Sequence, residues 1–189
     1  MAKTRRVPVG KKGRPAVPRA TPRAEPALVE CDCPRLEQDD WHEVESDWSD
    51  VQFVRTAIAA VAGVPFRFNR VRARLERLAW EAGATVPTDA MLLLGPGRFR
   101  RQVLLEVEGA ERSAKSVYEP GGIAYSRLVP APWGEMRRAL NDTAETARAR
   151  YGRAPDHTWV WYLTCPVCSG DRDFETLFVA HYDAAPEQG

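Results

Sequence analysis

No apolar stretch in this 189-residue chain is long enough to cross a membrane as a helix, and its mean hydropathy is −0.42. The basic start has no apolar h-region behind it, so a secretory signal is not expected. Histidine is scarce. His42, His157 and His181 are scattered, none has a partner at ligand spacing, and no Ser-His-Asp order or nucleophile elbow accompanies them. Gly95-Pro96-Gly97 is not followed by Lys-Ser/Thr, so it reads as a turn, and a nucleotide enzyme is not indicated. The absence of a helix-turn-helix pattern removes support for direct transcriptional regulation. Cysteine occurs four times, in a chain long enough to bury a core without a disulfide framework. The expectation is a soluble, cytoplasmic, monomeric protein whose thiols serve as metal ligands or reactive groups.

Charge is plentiful and segregated, although the formal net value is only +1. Residues 1–24 carry eight Lys/Arg and no acid, interleaved with Pro8, Pro15, Pro18 and Pro22. With little apolar surface to bury, residues 1–29 read as a disordered, partly polyproline-II tail. Charge alone would draw residues 1–24 to nucleic acid or another polyanion. It would equally let them act as a solubilising extension lying on the acidic neighbour. The aromatics of a single-strand binder are missing there. Residues 30–50 carry nine acids against Arg35 alone, together with Cys31, Cys33, Trp41 and Trp48. They read as an acidic segment docked on the domain that follows.

A packed domain is expected over residues 51–185, in halves 51–109 and 116–183. In the first half, Val51–Val61 reads as a strand, Asn69 as the cap of a helix ending at Gly83, and Ala90–Leu94 with Arg100–Val107 as a hairpin. In the second, Ile123–Val129 is a strand and Pro130-Ala131-Pro132 opens a helix. The apolar face of that helix holds Trp133, Met136, Leu140, Thr143, Ala144, Ala147 and Tyr151. Trp159–Thr164 and Glu175–His181 close the pattern as two more strands. The fold class expected is α+β: two pseudo-symmetric strand–helix–strand–strand units form an antiparallel sheet, with helices on one face and a central groove on the other.

The cysteines fall in two close pairs, Cys31-x-Cys33 and Cys165-x-x-Cys168, the second in a turn with Pro166 and Ser169-Gly170. Four thiolates suit tetrahedral Zn²⁺ and leave no open position, so such a site is structural. It would clamp the acidic tryptophan segment to the second hairpin, with Arg35 or Arg172 offsetting the negative charge. Two other readings stay open on the residues alone: a redox pair at Cys165 and Cys168, and four inert thiols.

Strand alternation sets Gln102, Leu104 and Glu106 opposite Val103, Leu105 and Val107, and Trp161 opposite Tyr162. The apolar set belongs beneath the helices. Gln102, Glu106, Tyr118, Tyr125, Trp133, Trp161 and Tyr162 are the candidates for groove walls, suited to a hydrophobic or cationic aromatic ligand; plain core is the competing reading for each aromatic. Glu106 and Glu135 are the candidate acid or base for any hydrolysis in that groove.

The repeated unit, the run Gly121-Gly122-Ile123-Ala124-Tyr125-Ser126-Arg127 and the helix entry Ala131-Pro132-Trp133 resemble the GyrI-like small-molecule-binding family. Cys31-Asp32-Cys33-Pro34, the tryptophans of the acidic segment, Phe53-Val54-Arg55 and Thr164-Cys165-Pro166-Val167-Cys168 resemble a bacterial subgroup of it labelled "hydrolase", over roughly residues 30–183. The resemblance implies a binding domain for small molecules and favours zinc on the cysteines. Many GyrI-like members carry a glutamate in the first strand of the second hairpin; Trp159-Val160-Trp161-Tyr162 holds none, so binding carries over more readily than catalysis. Three functions follow as expectations: a small-molecule binder with a structural four-cysteine zinc, a hydrolase working in the same groove, or a nucleic-acid- or ribosome-associated protein anchored by its tail.

Overall fold

The computed structural model describes residues 31–61, 64–65 and 68–184. The expected tail over residues 1–29 lies outside them. After Cys31 the chain forms one helical turn, α1 (Gln38–Trp41), and then β1 (Val44–Asp47), β2 (Gln52–Val61) and β3 (Val64–Pro65). A 3-10 turn at Phe68–Arg70 leads into α2 (Val71–Glu81), followed by β4 (Leu92–Leu94), β5 (Arg100–Val107), β6 (Val117–Tyr118) and β7 (Ile123–Pro130). The chain continues through α3 (Met136–Tyr151), β8 (His157–Tyr162) and β9 (Glu175–Tyr182).

Among the described residues the strands form one antiparallel sheet in the order β1-β7-β9-β8-β4-β5-β2-β3, with β6 on β2. The α+β class follows from how each element buries its apolar side. Val71, Leu75 and Ala79 recur at helical spacing on α2 and pack on Val54, Val103 and Leu105. Met136, Ala139 and Leu140 of α3 pack on Val160 and Phe178. Tyr162 touches both groups, which places the two helices on the same face of the sheet.

Strand parity sends the alternate side chains to the other face, where Phe53, Leu93, Leu104, Trp159, Trp161, Leu177 and Val179 form one cluster. Leu36, Trp41 and Trp48 from the N-terminal segment pack against it, and β1 extends the sheet edge along β7. Trp48 is 4% exposed and tilts against Phe53 with ring centroids 5.4 Å apart. Full burial of a large apolar side chain stabilises by about 1.5–3 kcal/mol, so the acidic segment contributes core. These tryptophans cover part of the face on which a groove was expected.

The sheet is narrowest at its middle. Between β4 and β8 the only register pair is Leu94 with Val160, because Gly95-Pro96 turns the chain away at once. A Cβ on Gly95 would stand 2.8 Å from the Trp159 ring, so only glycine lets that indole lie against the backbone there.

Other boundaries differ from expectation in detail. α3 begins at Met136, and Trp133 precedes it, 66% exposed, where a buried helix-face residue was expected. Pro130-Ala131-Pro132 instead leads into a turn in which Glu135 N–H donates to the Pro132 carbonyl at 2.7 Å.

Candidate metal centre and ligand cleft

Cys33 and Cys31 stand at the start of the described chain, and Cys165 and Cys168 in the loop joining β8 to β9. That loop is wound by its own backbone: Ser169 N–H donates to Cys165 O at 2.9 Å and Arg172 N–H to Cys168 O at 3.0 Å. The winding turns both sulfurs inward. All four Sγ atoms lie within 4.8 Å of one another, with Cys165 and Cys168 Sγ 3.9 Å apart. Two sulfurs each about 2.3 Å from one tetrahedral zinc stand about 3.8 Å apart, so the donor set and its spacing fit that ion.

Arg172 ties the two cysteine segments together. It donates to the Pro34 carbonyl at 2.7 Å and to Leu163 O at 2.9 Å, and pairs with Glu175. Arg35, its expected alternative, is exposed. Burial and sulfur contacts to the other three thiols push Cys33 up to about 12, while backbone N–H donors from Cys168 and Val167 draw Cys165 down to about 7. The loop thus supplies one ready thiolate, while Cys33 needs a cation beside it to lose its proton.

The β4–β8 seam opens into a cleft of about 600 Å³, lined among others by Gly95, Pro96, Arg100, Gln102, Asp156, His157 and Trp159. Its lining mixes a guanidinium, a carboxylate, an amide, an imidazole and one indole face. Polar groups converging beside an apolar ring are the kind of lining that small-molecule pockets have.

The expected wall residues do not share one surface. Gln102 lines the cleft. Trp161 lies in the core on that face, edge-on to Trp41 at 6.2 Å. Tyr118 sits on β6 beneath the Arg55 guanidinium, 5.3 Å from its ring centre. Tyr125, 1% exposed, lies on the helix side with Ala147, Tyr151 and Tyr182. Trp133 and Tyr162 pair on the helix side as well, centroids 5.4 Å apart. The physical reason is the period-two alternation, which sends Tyr125 and Tyr162 through the sheet from Trp161.

Neither proposed acid lines the cleft. Glu106 is half-buried, its carboxylate accepting the Met91 N–H at 2.9 Å; burial raises its pKa, the Met91 N–H works against that rise, and nearby Asp89 and Glu108 add to it. Glu135 is exposed at the start of α3.

Two of the three histidines, set apart in sequence, meet in space. His157 and His181 are register partners across β8 and β9, their rings stacked at 5.9 Å. Asp183 Oδ1 lies 3.4 Å from His157 Nε2 and 3.4 Å from His181 Nδ1. His42 stays apart, its Nδ1 2.7 Å from Leu128 O. The separation of 24 positions hides the pair in sequence. A hairpin registered on Tyr162 and Thr176 would have revealed it, had the first strand been extended back to His157.

A family model described as bacterial hydrolase matches residues 24–178. No curated protein matches the chain.

Proposed function

The chain belongs to the bacterial hydrolase family, and from that premise we propose a small-molecule-binding protein whose ligand occupies the β4–β8 cleft and whose cysteines hold a structural zinc. The cleft carries this reading: it has the volume of a ligand pocket, lies at the seam between two sheet halves, and gathers polar groups of several kinds. The strand order β7-β9-β8-β4-β5-β2 reads the same from either end, as strand, third strand and second strand of a unit and then its reverse. This mirrored order supports two pseudo-symmetric halves of GyrI-like type. A ligand between them touches both. The test is a native mass spectrum of the full chain, expected to report one zinc and a co-purified or added small molecule. Ala57→Phe, which fills the cleft, should keep the zinc and lose the molecule; a molecule retained by that variant would overturn the assignment.

Family membership favours hydrolysis at this cleft as a second reading. Of the titratable groups lining it, Asp156 and His157 are suited to proton transfer; Glu106 and Glu135 lie elsewhere. Turnover of ester, amide and phosphoester panels should fall at least about 100-fold in His157→Gln and be unchanged in Glu106→Gln. Equal loss in both variants would remove His157 from this role.

A further inference from the structure

His181 poses a physical problem that its neighbours do not solve with protons. The residue is 0% exposed, and its Nε2 lies 2.8 Å from the Gly121 carbonyl. A carbonyl only accepts, so Nε2 carries the hydrogen and Nδ1 of the neutral ring presents a bare lone pair. Nδ1 is buried and makes no hydrogen bond among the described residues. It faces Asp183 Oδ1, another acceptor, at 3.4 Å. The same oxygen faces His157 Nε2 at the same distance, and all three atoms lie within 4.8 Å of one another.

Three lone-pair atoms within 4.8 Å of one another make a candidate cation site. Ligand atoms each about 2.1 Å from a common ion are about 3.0–3.4 Å apart at octahedral to tetrahedral angles, which is the spacing of both nitrogen–oxygen pairs here. The remaining features are those of a supported ligand sphere. The Nε2–H to Gly121 bond fixes the His181 tautomer. Trp48 stacks on the His181 ring at 5.1 Å and 27°. Asp156 Oδ2 accepts the Asp183 N–H at 3.0 Å, while Arg153 holds Asp156. Gly122 has φ +64, and a Cβ there would lie 1.9 Å from Tyr182 O, so the double-glycine turn presses directly on the strand end that carries the ligands. Protonation is the competing solution, and burial works against it by lowering the His181 pKa, although the Gly121 carbonyl and Asp183 favour the proton.

We propose that His157 Nε2, His181 Nδ1 and Asp183 Oδ1 bind one divalent transition ion, separate from the cysteine cluster, at the edge of the cleft that His157 lines. Two imidazoles and a carboxylate suit Zn²⁺, Co²⁺ or Fe²⁺ better than Mg²⁺ or Ca²⁺, and three protein ligands leave positions for water or a ligand atom. This inference stands on the three side chains; where the ion is bound, His157 acts as its ligand, and proton transfer in a hydrolytic cleft would fall to Asp156 or to a water on the ion.

The experiment is a Co²⁺ titration of the full-length protein loaded with one equivalent of Zn²⁺. The result expected is a second equivalent giving d–d absorption without thiolate charge transfer. His157→Ala and Asp183→Asn each weaken it at least about 10-fold. Both residues are exposed, so these variants test ligation without emptying the core; near-ultraviolet circular dichroism verifies their fold. Failure to bind the second equivalent at millimolar Co²⁺, or unchanged affinity in both variants, overturns the proposal. If the cysteines bind no metal at all, the thiolate bands never appear on titrating metal-free protein while the d–d bands remain, so the two assignments fail separately.

Discussion

The β8–β9 hairpin carries a cluster of lone-pair donors at each end, and the two are opposites. At the closed end, four sulfurs from two distant segments meet around a loop wound by its own hydrogen bonds, with Arg172 reaching across to Pro34. At the open end, two nitrogens and an oxygen meet beside a cleft, two of the three residues exposed. Soft donors without a free position stabilise a fold, while mixed donors with free positions act on something that arrives. One hairpin registers both: pairing from Tyr162–Thr176 through His157–His181 fixes the open end once the loop fixes the closed one.

The largest effect should come from the closed end. Treatment with a strong chelator, or replacing Cys168 by Ser, should lower the melting temperature sharply and free residues 31–36 to proteolysis. A structural zinc contributes up to about 10–16 kcal/mol of apparent binding energy, against which a long-loop closure is small. Protein purified without metal and indifferent to chelators would break the contrast between the two ends. Next in size is Trp48→Ala, expected to cost about 3–5 kcal/mol by urea unfolding, because the indole is core to the sheet face and packs on His181. A cost below about 1 kcal/mol would mean that the acidic segment lies on the domain without adding to its core. Asp183→Asn should change the stability of metal-free protein by no more than about 0.5 kcal/mol, the usual range for an exposed site. A loss as large as that of Cys168→Ser would make the open end structural too.

The difference in legibility between the ends has a physical cause. A metal knuckle writes its ligands close together, since one turn must present both sulfurs, and Cys165-x-x-Cys168 shows this in four residues. Ligands supplied by facing strands are written as far apart as the hairpin is long. They become visible only when register is known, and His157 lay two positions outside the strand expected from the Trp159–Thr164 pattern. The α+β class, the two helices and most strand positions were readable because each buries one periodic face. β1 and β6 were not, since Val44-Glu45-Ser46-Asp47 alternates weakly and Val117–Tyr118 is two residues long. The walls of the groove were hidden for a third reason. Residue type alone marks aromatics as wall candidates, whereas Trp41 and Trp48, drawn in from the N-terminal segment, cover part of the face on which a groove was expected.

Carboxylates on the same sheet face extend the comparison to its smallest effect. Asp183 faces two imidazoles, whereas Glu106 faces one amide, that of Met91, and is penalised by burial. Its pKa is raised above the ordinary 4.5, so on raising the pH the unfolded chain ionises first. The native state then binds the extra proton, and stability falls as pH climbs from 4.5 through the raised folded value, levelling off above it. Glu106→Gln keeps an acceptor for Met91 N–H and discards the buried charge. It should therefore be more stable than the parent at about pH 7, by less than about 1 kcal/mol, and the gain should vanish at about pH 4. Urea midpoints at the two pH values measure this directly. A variant less stable at neutral pH would mean that the ionised carboxylate of Glu106 has a partner of its own.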